Sequence, residues 1–197
     1  MNKLPAGLAA AVVTLAISGC STGDPGDGQP SPQPSESRPS LAVSIPPMPT
    51  QVNKGRQDVT FDPCVEIDDS LIVRSGFDPP TRERNDLIFD DYSFIGCKFK
   101  HSEDVRGQKL PVRSISIWST NVTLDEFRKR ERGNLTDLTV DGRAAIKYTQ
   151  SDSCYVAIQS LDGALNIASN TYAAFTTELP CDRIVEIAQT IAPALPD

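Results

Sequence analysis

The sequence predicts the α+β class: an antiparallel sheet of about five to six strands, with about three helices packed on it, stapled by two disulfides. Three observations predict this class. The patterns run helix, two strands, helix, several strands and helix, which is not the strict alternation of a parallel sheet. Asp-Gly pairs at 141–142 and 162–163 are typical of tight turns between antiparallel strands. Four widely spaced cysteines each fall on the apolar face of a predicted element.

The first 19 residues predict an export signal. One lysine precedes the apolar stretch 8–17, which is too short for a membrane span of about 20 residues but suits a signal peptide. The sequence Ile17-Ser18-Gly19-Cys20 resembles the bacterial lipobox, in which an aliphatic residue and two small ones precede the cysteine that takes the lipid. Cys20 is therefore predicted to be the lipid anchor on the extracytoplasmic face of the cell membrane. The alternative is an extra cysteine after an ordinary signal.

Residues 20–57 predict a disordered tether that begins with the lipidated cysteine. Eight prolines lie between positions 21 and 57, among serine, glycine and few core-forming residues. As a flexible coil, such a segment would average about 35 Å from end to end. The remaining residues, 58–197, suffice for a single globular domain.

The charge balance argues against nucleic acid as a partner. Removal of residues 1–19 takes one lysine and no acid, so 18 basic and 26 acidic side chains remain, with a formal net charge of −8. The basic cluster at 127–133 contains a glutamate and resembles a solvated helix face rather than a phosphate-binding surface. The predicted attachment to the membrane therefore depends on the acyl chains.

The first predicted helix lies between Asp62 and Gly76. Asp62 suits an N-cap, Pro63 suits the first helical position, and Gly76 follows the end. The spacing of three apolar residues places them on one face, namely Cys64, Ile67 and Leu71.

Two strands and a second helix follow. In the first strand, at 92–101, Cys97 alternates into the same face as Ile95 and Phe99. The β-branched stretch 111–119 predicts the second strand. Thr123 and Glu126 have capping-box spacing and begin a helix that closes at 133.

The last part of the chain predicts three or four antiparallel strands and a terminal helix. In the strand 153–160, the inward face carries Cys154, Val156 and Ile158. The stretch 180–196 has the apolar spacing of an amphipathic helix, and its apolar positions are Cys181, Ile184, Val185, Ala188 and Ile191.

The cysteines predict disulfides rather than a metal site. Four remain once Cys20 carries lipid, and an even number in an exported protein indicates bridges. Four cysteines allow three pairings. We favour Cys64 with Cys97 and Cys154 with Cys181, because each pair joins a helix to an inward strand position and closes a loop of about 30 residues. Each bridge would then contribute about 3 to 4 kcal/mol.

The sequence resembles the actinobacterial lipoproteins of unknown function, the mycobacterial LprB/LprC-like family. The shared features are the lipobox, the Pro-rich tether, "FDPC" before a helix, "VDGRAA", "SCYVAIQ" and the closing "LPCDRIVEIA". The resemblance covers about residues 58–195 and involves no catalytic motif. It implies a cell-envelope lipoprotein with two disulfides, of a compact shape similar to the extracytoplasmic sensor domains of mycobacterial receptor kinases. At "GCKFK" the sequence departs from the expected tryptophan after the cysteine.

The sequence predicts no catalytic residue, metal site or cofactor. His101 is the single histidine and lies in a polar stretch, and no phosphate-binding loop occurs. A candidate groove for a ligand comprises three aromatic residues, Trp118, Tyr172 and Phe175, although such aromatics more often close the edge of a core.

Two functions follow as hypotheses. The first is a non-catalytic envelope lipoprotein whose domain binds a protein partner or a small lipid or glycan. The second is a hydrolase that acts on envelope glycan or lipid with carboxylates brought together by the fold. Adjacent acidic pairs such as 68–69 and 90–91 more often solvate or cap than catalyse.

Overall fold

The computed structural model describes residues 40–196, and within that range it contains four α-helices and eight strands. The predicted export signal, the anchor Cys20 and the tether up to residue 39 lie outside the described residues. The helices are α1 (Pro63–Glu66), α2 (Asp69–Arg74), α3 (Leu124–Arg130) and α4 (Ile184–Ile191), with a 3-10 turn at Ala192–Ala194. The strands are β1 (Asp78–Arg84), β2 (Leu87–Ile88), β3 (Ser93–Val105), β4 (Gln108–Thr120), β5 (Leu135–Val140), β6 (Arg143–Gln150), β7 (Ser153–Gln159) and β8 (Ala164–Thr171).

One antiparallel sheet contains all eight strands, in the order β1-β3-β4-β8-β7-β6-β5, with β2 paired to β3. The antiparallel sheet with helices packed on it is confirmed, but the prediction of five to six strands is wrong. The strands that the sequence analysis missed are β1 and β2. Strand β1 contains Pro79 and Pro80, and prolines in a sequence argue against a strand. This strand nevertheless forms because it lies at the sheet edge, where a missing backbone N–H is tolerated. The second has only two residues.

The main core lies on one face of the sheet, beneath α1, α2 and α4. Alternate residues of the central strands point into it, as Ile115 and Ile117 do from β4. From α4, the apolar stripe supplies Ile184, Ile187, Ala188 and Ile191, all buried. This helix begins later than the predicted residue 180, so Cys181 precedes it in a turn.

The helix predicted between Asp62 and Gly76 is two short helices, which brings the number of helices to four instead of three. Asp62 caps α1 and Gly76, at φ +84°, follows α2, as expected. Between the two helices, Ile67 is extended, and its carbonyl accepts a 2.9 Å hydrogen bond from the guanidinium of Arg82. That arginine also donates to the carbonyl of Cys64 and is fully buried, so a tertiary contact from β1 stabilises the break.

Both favoured disulfides are confirmed. Cys64 of α1 bonds to Cys97 of β3, and Cys154 of β7 bonds to Cys181 before α4. Their Cα atoms lie 4.8 and 5.1 Å apart, within the usual range. The bridges therefore tie helical segments to the core-facing side of the sheet, at the two separate strands β3 and β7.

The folded domain begins earlier than the predicted boundary at residue 58. Ile45 packs against the main core, and Asn53 is only 3% exposed. Arg56 reaches α3, where its guanidinium lies 2.6 Å from the carboxylate of Glu126. Part of the predicted tether, at least residues 45–57, is thus folded onto the domain by contacts that its composition does not reveal.

Candidate functional site: an aromatic cleft

The second face of the sheet is only partly covered. The short helix α3 packs over one end of it, where Phe127 is fully buried against Ile146 and Tyr148. Beyond this helix the face opens into a cleft of about 270 Å³. The cleft is lined by residues from β2 and the loop after it, β3, β4, α3, β6, β7 and β8, namely Leu87, Phe89, Tyr92, Phe94, Trp118, Arg130, Tyr148, Gln150, Tyr155 and Asn166.

Seven aromatic rings form a continuous chain along this cleft. At one end Phe89 lies 4.8 Å from Tyr92, centroid to centroid, and Tyr92 meets Phe94 edge-on at 5.9 Å. Phe94 contacts both Trp118 and Phe127 edge-on, at 6.3 and 6.4 Å. The chain continues from Phe127 to the tyrosine pair Tyr148 and Tyr155. These separations are those of favourable aromatic pairs, each worth about 0.5–1.5 kcal/mol beyond area burial.

Trp118 lies directly over a glycine of the neighbouring strand. Gly96 of β3 is its cross-strand partner, and a Cβ at that glycine would come within 2.6 Å of the indole Cδ1. The indole Nε1 donates a 2.6 Å hydrogen bond to the carbonyl of Asn85. Since the only polar atom of this side chain is used, the ring is oriented by the protein and has only carbon surface left for a ligand.

The two tyrosines lie on the other side of the cleft. Tyr155 of β7 stacks on Tyr148 of β6, with centroids 4.8 Å apart and an interplanar angle of 8°. Tyr148 is buried, and its hydroxyl donates a 3.1 Å hydrogen bond to the side-chain oxygen of Asn166. Burial raises the pKa of the Tyr148 phenol, so this hydroxyl keeps its proton and remains a donor.

Asn166 provides the polar floor of the cleft. Its side chain comes from β8, in the register position beside Trp118, and the residue is 4% exposed. One end of its amide is held by Tyr148, whereas the other end has no hydrogen-bond partner among residues 40–196. Because Asn166 lines the cleft, this end of the amide faces the open space and is available to hydrogen-bond a ligand.

The rim of the cleft adds a cation and further polar groups. The guanidinium of Arg130, at the end of α3, lies 4.7 Å from the ring centroid of Phe127, and its Nε donates to Glu131 at 2.8 Å. The Gln150 side chain lines the same rim. The cleft therefore combines aromatic faces with an amide floor, a second amide and a positive charge, and its lining includes no carboxylate.

The predicted groove residues divide between two places. Trp118 lines the cleft, but Tyr172 and Phe175 do not. Both follow β8, where the Tyr172 amide donates to Val112 at 2.9 Å, and Phe175 remains 41% exposed. Sequence reasoning missed the other aromatics of the cleft. A signal was present, because Phe94 and Tyr155 alternate with residues that the cysteines assign to the opposite face.

The carboxylates of the neighbouring cleft, between α3 and the β7–β8 turn, are already engaged. Asp162 accepts hydrogen bonds from the backbone amides of Thr60 and Phe61 and from the hydroxyls of Thr60 and Ser119. Asp125 pairs with Arg128 at 3.0 Å. These acids hold loops and a helix in place.

His101 and Asp68, to which the sequence analysis assigned no catalytic role, both contact neighbouring groups. His101 lies on β3, with its Nδ1 3.4 Å from Asp78 and its Nε2 3.5 Å from Glu103. Asp68 caps α2, and the hydrogen bonds from Ser70 and the Leu71 amide lower its pKa. Within residues 40–196 no three acidic, histidine or cysteine side chains cluster as a metal site would require, and no helix there is both long and apolar enough to span a bilayer.

These features define a disulfide-linked α+β domain with one sheet face covered by helices and the other partly open. The model of a family described as "Protein of unknown function (DUF3558)" matches residues 15–194. The chain belongs to this family. The comparisons with curated proteins and with solved structures found no match.

Proposed function

We propose that this protein is a membrane-anchored cell-envelope lipoprotein whose domain binds a small ligand in the aromatic cleft and catalyses no reaction. The observation that carries the proposal is the cleft itself: a continuous chain of aromatic rings with an amide, Asn166, at its floor, one end of which has no hydrogen-bond partner among residues 40–196. Ligand sites in proteins combine an apolar lining with a few placed polar groups in this way.

The sequence and the family support the anchor. The matched range, 15–194, includes Cys20 and the end of the apolar segment before it. Two disulfides are typical of domains that fold in an oxidising compartment outside the cytoplasm. We further propose that the protein is related to the actinobacterial LprB/LprC-like lipoproteins. Residues 1–19 would then be the signal peptide, and Cys20 would carry palmitate or a related acyl chain.

Binding is favoured over hydrolysis by the chemistry of the cleft. A carboxylate-dependent hydrolase needs two acids on either side of the scissile bond. The lining of the aromatic cleft contains no acid, and the two acids of the neighbouring cleft, Asp125 and Asp162, are engaged in an ion pair and in hydrogen bonds. The alternative function, a hydrolase, would need two acids that are not engaged in such contacts.

Trp118 is the only tryptophan in the chain, so its fluorescence reports on the cleft alone. We would titrate the full chain in detergent with the dye 1-anilinonaphthalene-8-sulfonate, whose aromatic rings and negative charge suit the aromatic lining and Arg130. The expected result is saturable dye emission with energy transfer from Trp118. Phe89→Ala should weaken binding several-fold, whereas Phe175→Ala, a matched change of an equally exposed phenylalanine outside the cleft, should not. Equal effects of the two variants would refute the proposed site.

The anchor requires a separate measurement. Mass spectrometry of the native protein from the bacterial envelope should find a mature chain that begins at Cys20 and carries acyl groups. Cys20→Ala should release the protein from the membrane fraction. A retained leader, or an unmodified thiol at residue 20, would contradict this part of the proposal and leave the cleft unaffected.

A further inference from the structure

We propose that the ligand of the aromatic cleft is a carbohydrate, bound with the apolar face of a sugar ring against Trp118 and Tyr155 and with its hydroxyl groups on the amides of the cleft. This inference rests on the proposed binding function and specifies the class of ligand. It follows from three properties of the lining: aromatic faces fixed by the protein, neutral polar groups without partners, and an open shape.

The aromatic faces are held in place before any ligand arrives. Trp118 is fixed by its hydrogen bond to the Asn85 carbonyl and by its position over Gly96. Tyr155 is fixed by its parallel stack on Tyr148. A pyranose ring has one or two faces made of C–H groups, and such a face packs on an aromatic ring with little loss of conformational entropy when the ring is rigid.

The polar groups of the lining match the hydroxyl groups of a sugar better than they match a single ion. One end of the Asn166 amide, the Gln150 amide and the hydroxyls of Tyr92 and Tyr155 have no hydrogen-bond partner among residues 40–196. Amides and phenols offer both donors and acceptors, and a sugar hydroxyl is also both. Arg130 adds donors only, which allows a neutral or anionic sugar and disfavours a cationic one.

Two other ligand classes fit less well. A lipid acyl chain would cover the free amides of Asn166 and Gln150 without giving them a hydrogen bond, which costs free energy for each group. An extended peptide would need a free strand edge to pair with. The cleft floor instead comes from β4, β8 and β7, whose edges are all paired within the sheet.

The dimensions also favour a short glycan segment. The volume of about 270 Å³ lies near the lower limit of about 300 Å³ for drug-sized sites. The cleft is open along the sheet face, so neighbouring sugars of a longer chain would extend into solvent on either side. We therefore expect recognition of one ring within a glycan and weak binding, with dissociation constants near 1 mM for short oligosaccharides.

The test uses the full chain in detergent and soluble trisaccharides, namely maltotriose, cellotriose, chitotriose and mannotriose, each at up to tens of millimolar. We expect at least one trisaccharide to bind. Saturation-transfer NMR should then show the ring C–H protons of one sugar face close to the protein, and the same sugar should displace the dye and change Trp118 fluorescence. Dye binding in the cleft without any effect of the four sugars would overturn the carbohydrate proposal and leave the binding function standing. Failure of both dye and sugars would overturn both.

Four variants separate the contribution of the stacking face from that of the Asn166 amide. Tyr155→Leu should weaken sugar binding at least fivefold, because it removes a stacking face, whereas Tyr155→Phe should weaken it less. Asn166→Leu removes the amide donors and acceptor without adding a charge, and it should weaken the sugar more than the anionic dye. Phe175→Ala, outside the cleft, should change neither. Sugar binding that is unchanged in both Tyr155→Leu and Asn166→Leu would place the glycan elsewhere and refute the proposal.

Discussion

The position of Trp118 depends on the absence of a side chain at residue 96. The indole occupies the space above Gly96, where a Cβ would lie 2.6 Å from Cδ1 and 2.2 Å from the carbonyl oxygen of Ile117. The second of these atoms belongs to the backbone, so a side-chain rotation cannot relieve the contact. A glycine opposite a tryptophan on adjacent strands is therefore a requirement of the cleft, and it is visible in the sequence only once the register is known.

We predict that Gly96→Ala will lower the free energy of unfolding by about 1–3 kcal/mol, the usual cost of overpacking, and will change the environment of Trp118. Urea unfolding and the near-ultraviolet circular dichroism of the single tryptophan check the two effects. The control is Gly107→Ala, in the β3–β4 turn. It has a positive φ of +81° but open space around it, so it should cost about 1 kcal/mol and leave the tryptophan signal unchanged. A Trp118 signal that is unchanged in Gly96→Ala would contradict the packing argument.

The residues of the cleft were only partly predictable. Trp118 was identified as an aromatic on a predicted strand, but Asn166 was not, because an asparagine in a strand has no signature until its neighbours are known. Its role depends on the hydrogen bond from Tyr148, 18 residues away. Tyr172 and Phe175 were grouped with Trp118 because they are aromatic, whereas the sheet places them beyond the end of β8.

Among the elements, those stabilised by local interactions were predicted best. The helix α3 has the expected capping box, with Thr123 and Glu126 bonded reciprocally, and Gly133 follows it at φ +84°. By contrast, the break between α1 and α2 depends on Arg82, which comes from a strand later in the chain. The strand that carries Arg82 was itself missed, since its two prolines fit only an edge position.

The first turn of α3 should respond to acid. Glu126 accepts hydrogen bonds from Arg56 and from the Thr123 amide, and the hydrogen bond from Arg56 does most to lower its pKa, from 4.5 to about 2. Because the folded-state pKa is lowered, the stabilisation is fully present above about pH 4.5 and is lost as the pH falls toward 2. We predict that Glu126→Gln will reduce the loss of stability across this window, measured as the urea midpoint at a series of pH values.

The control for this acid dependence is Asp152→Asn. Asp152 is an exposed carboxylate in the β6–β7 turn that forms no ion pair within the described part of the chain. This variant should keep the wild-type loss of stability between about pH 4.5 and 2. If Glu126→Gln loses stability with acid as steeply as Asp152→Asn does, the ion pair with Arg56 does not contribute as argued.

At the scale of the whole molecule, both disulfides join residues at the main core. One links Cys64 to Cys97, and the other links Cys154 to Cys181, later in the chain. Their pairing was predictable because each cysteine occupied an inward position of its own pattern, and the structure brings those positions together beneath α1, α2 and α4. The partly open second face was not predictable in the same way. It exists because α3 is only seven residues long and covers one end of the sheet.

We predict that removal of either bridge will lower the free energy of unfolding by similar amounts. The loops close over 33 and 27 residues, and the chain-entropy estimate for both is about 3.5 kcal/mol. Urea unfolding of the double variants Cys64→Ser with Cys97→Ser, and Cys154→Ser with Cys181→Ser, checks this. Both bridges lie on the face opposite the cleft, so the folded fraction of each variant should still bind the dye. Loss of dye binding in a variant that remains folded would show that the two faces are coupled.

The composition of residues 40–57 predicts a disordered tether, but the structure shows these residues packed on the domain. Residues 40–57 are rich in proline and polar groups, and they pack on the domain largely through side-chain hydrogen bonds instead of an apolar periodicity. Asn53 is the clearest case. Its amide nitrogen donates to Gln51 and Asp58, at 2.9 and 2.8 Å, and its oxygen accepts from the buried Ser93 at 2.7 Å. The segment is therefore part of the folded domain, although its composition is that of a tether.

The final prediction therefore compares two neighbouring residues of this segment. Asn53 is 3% exposed with φ +42°, whereas Val52 is 54% exposed. Asn53→Ala should lower the free energy of unfolding by about 2–4 kcal/mol, because it leaves Ser93 without its acceptor and puts alanine in a left-handed conformation. Val52→Ala should change it by less than about 0.5 kcal/mol. A domain that began only at residue 58 would tolerate both substitutions equally, so equal urea midpoints for the two full-length variants would contradict the argued contribution of Asn53 to the fold.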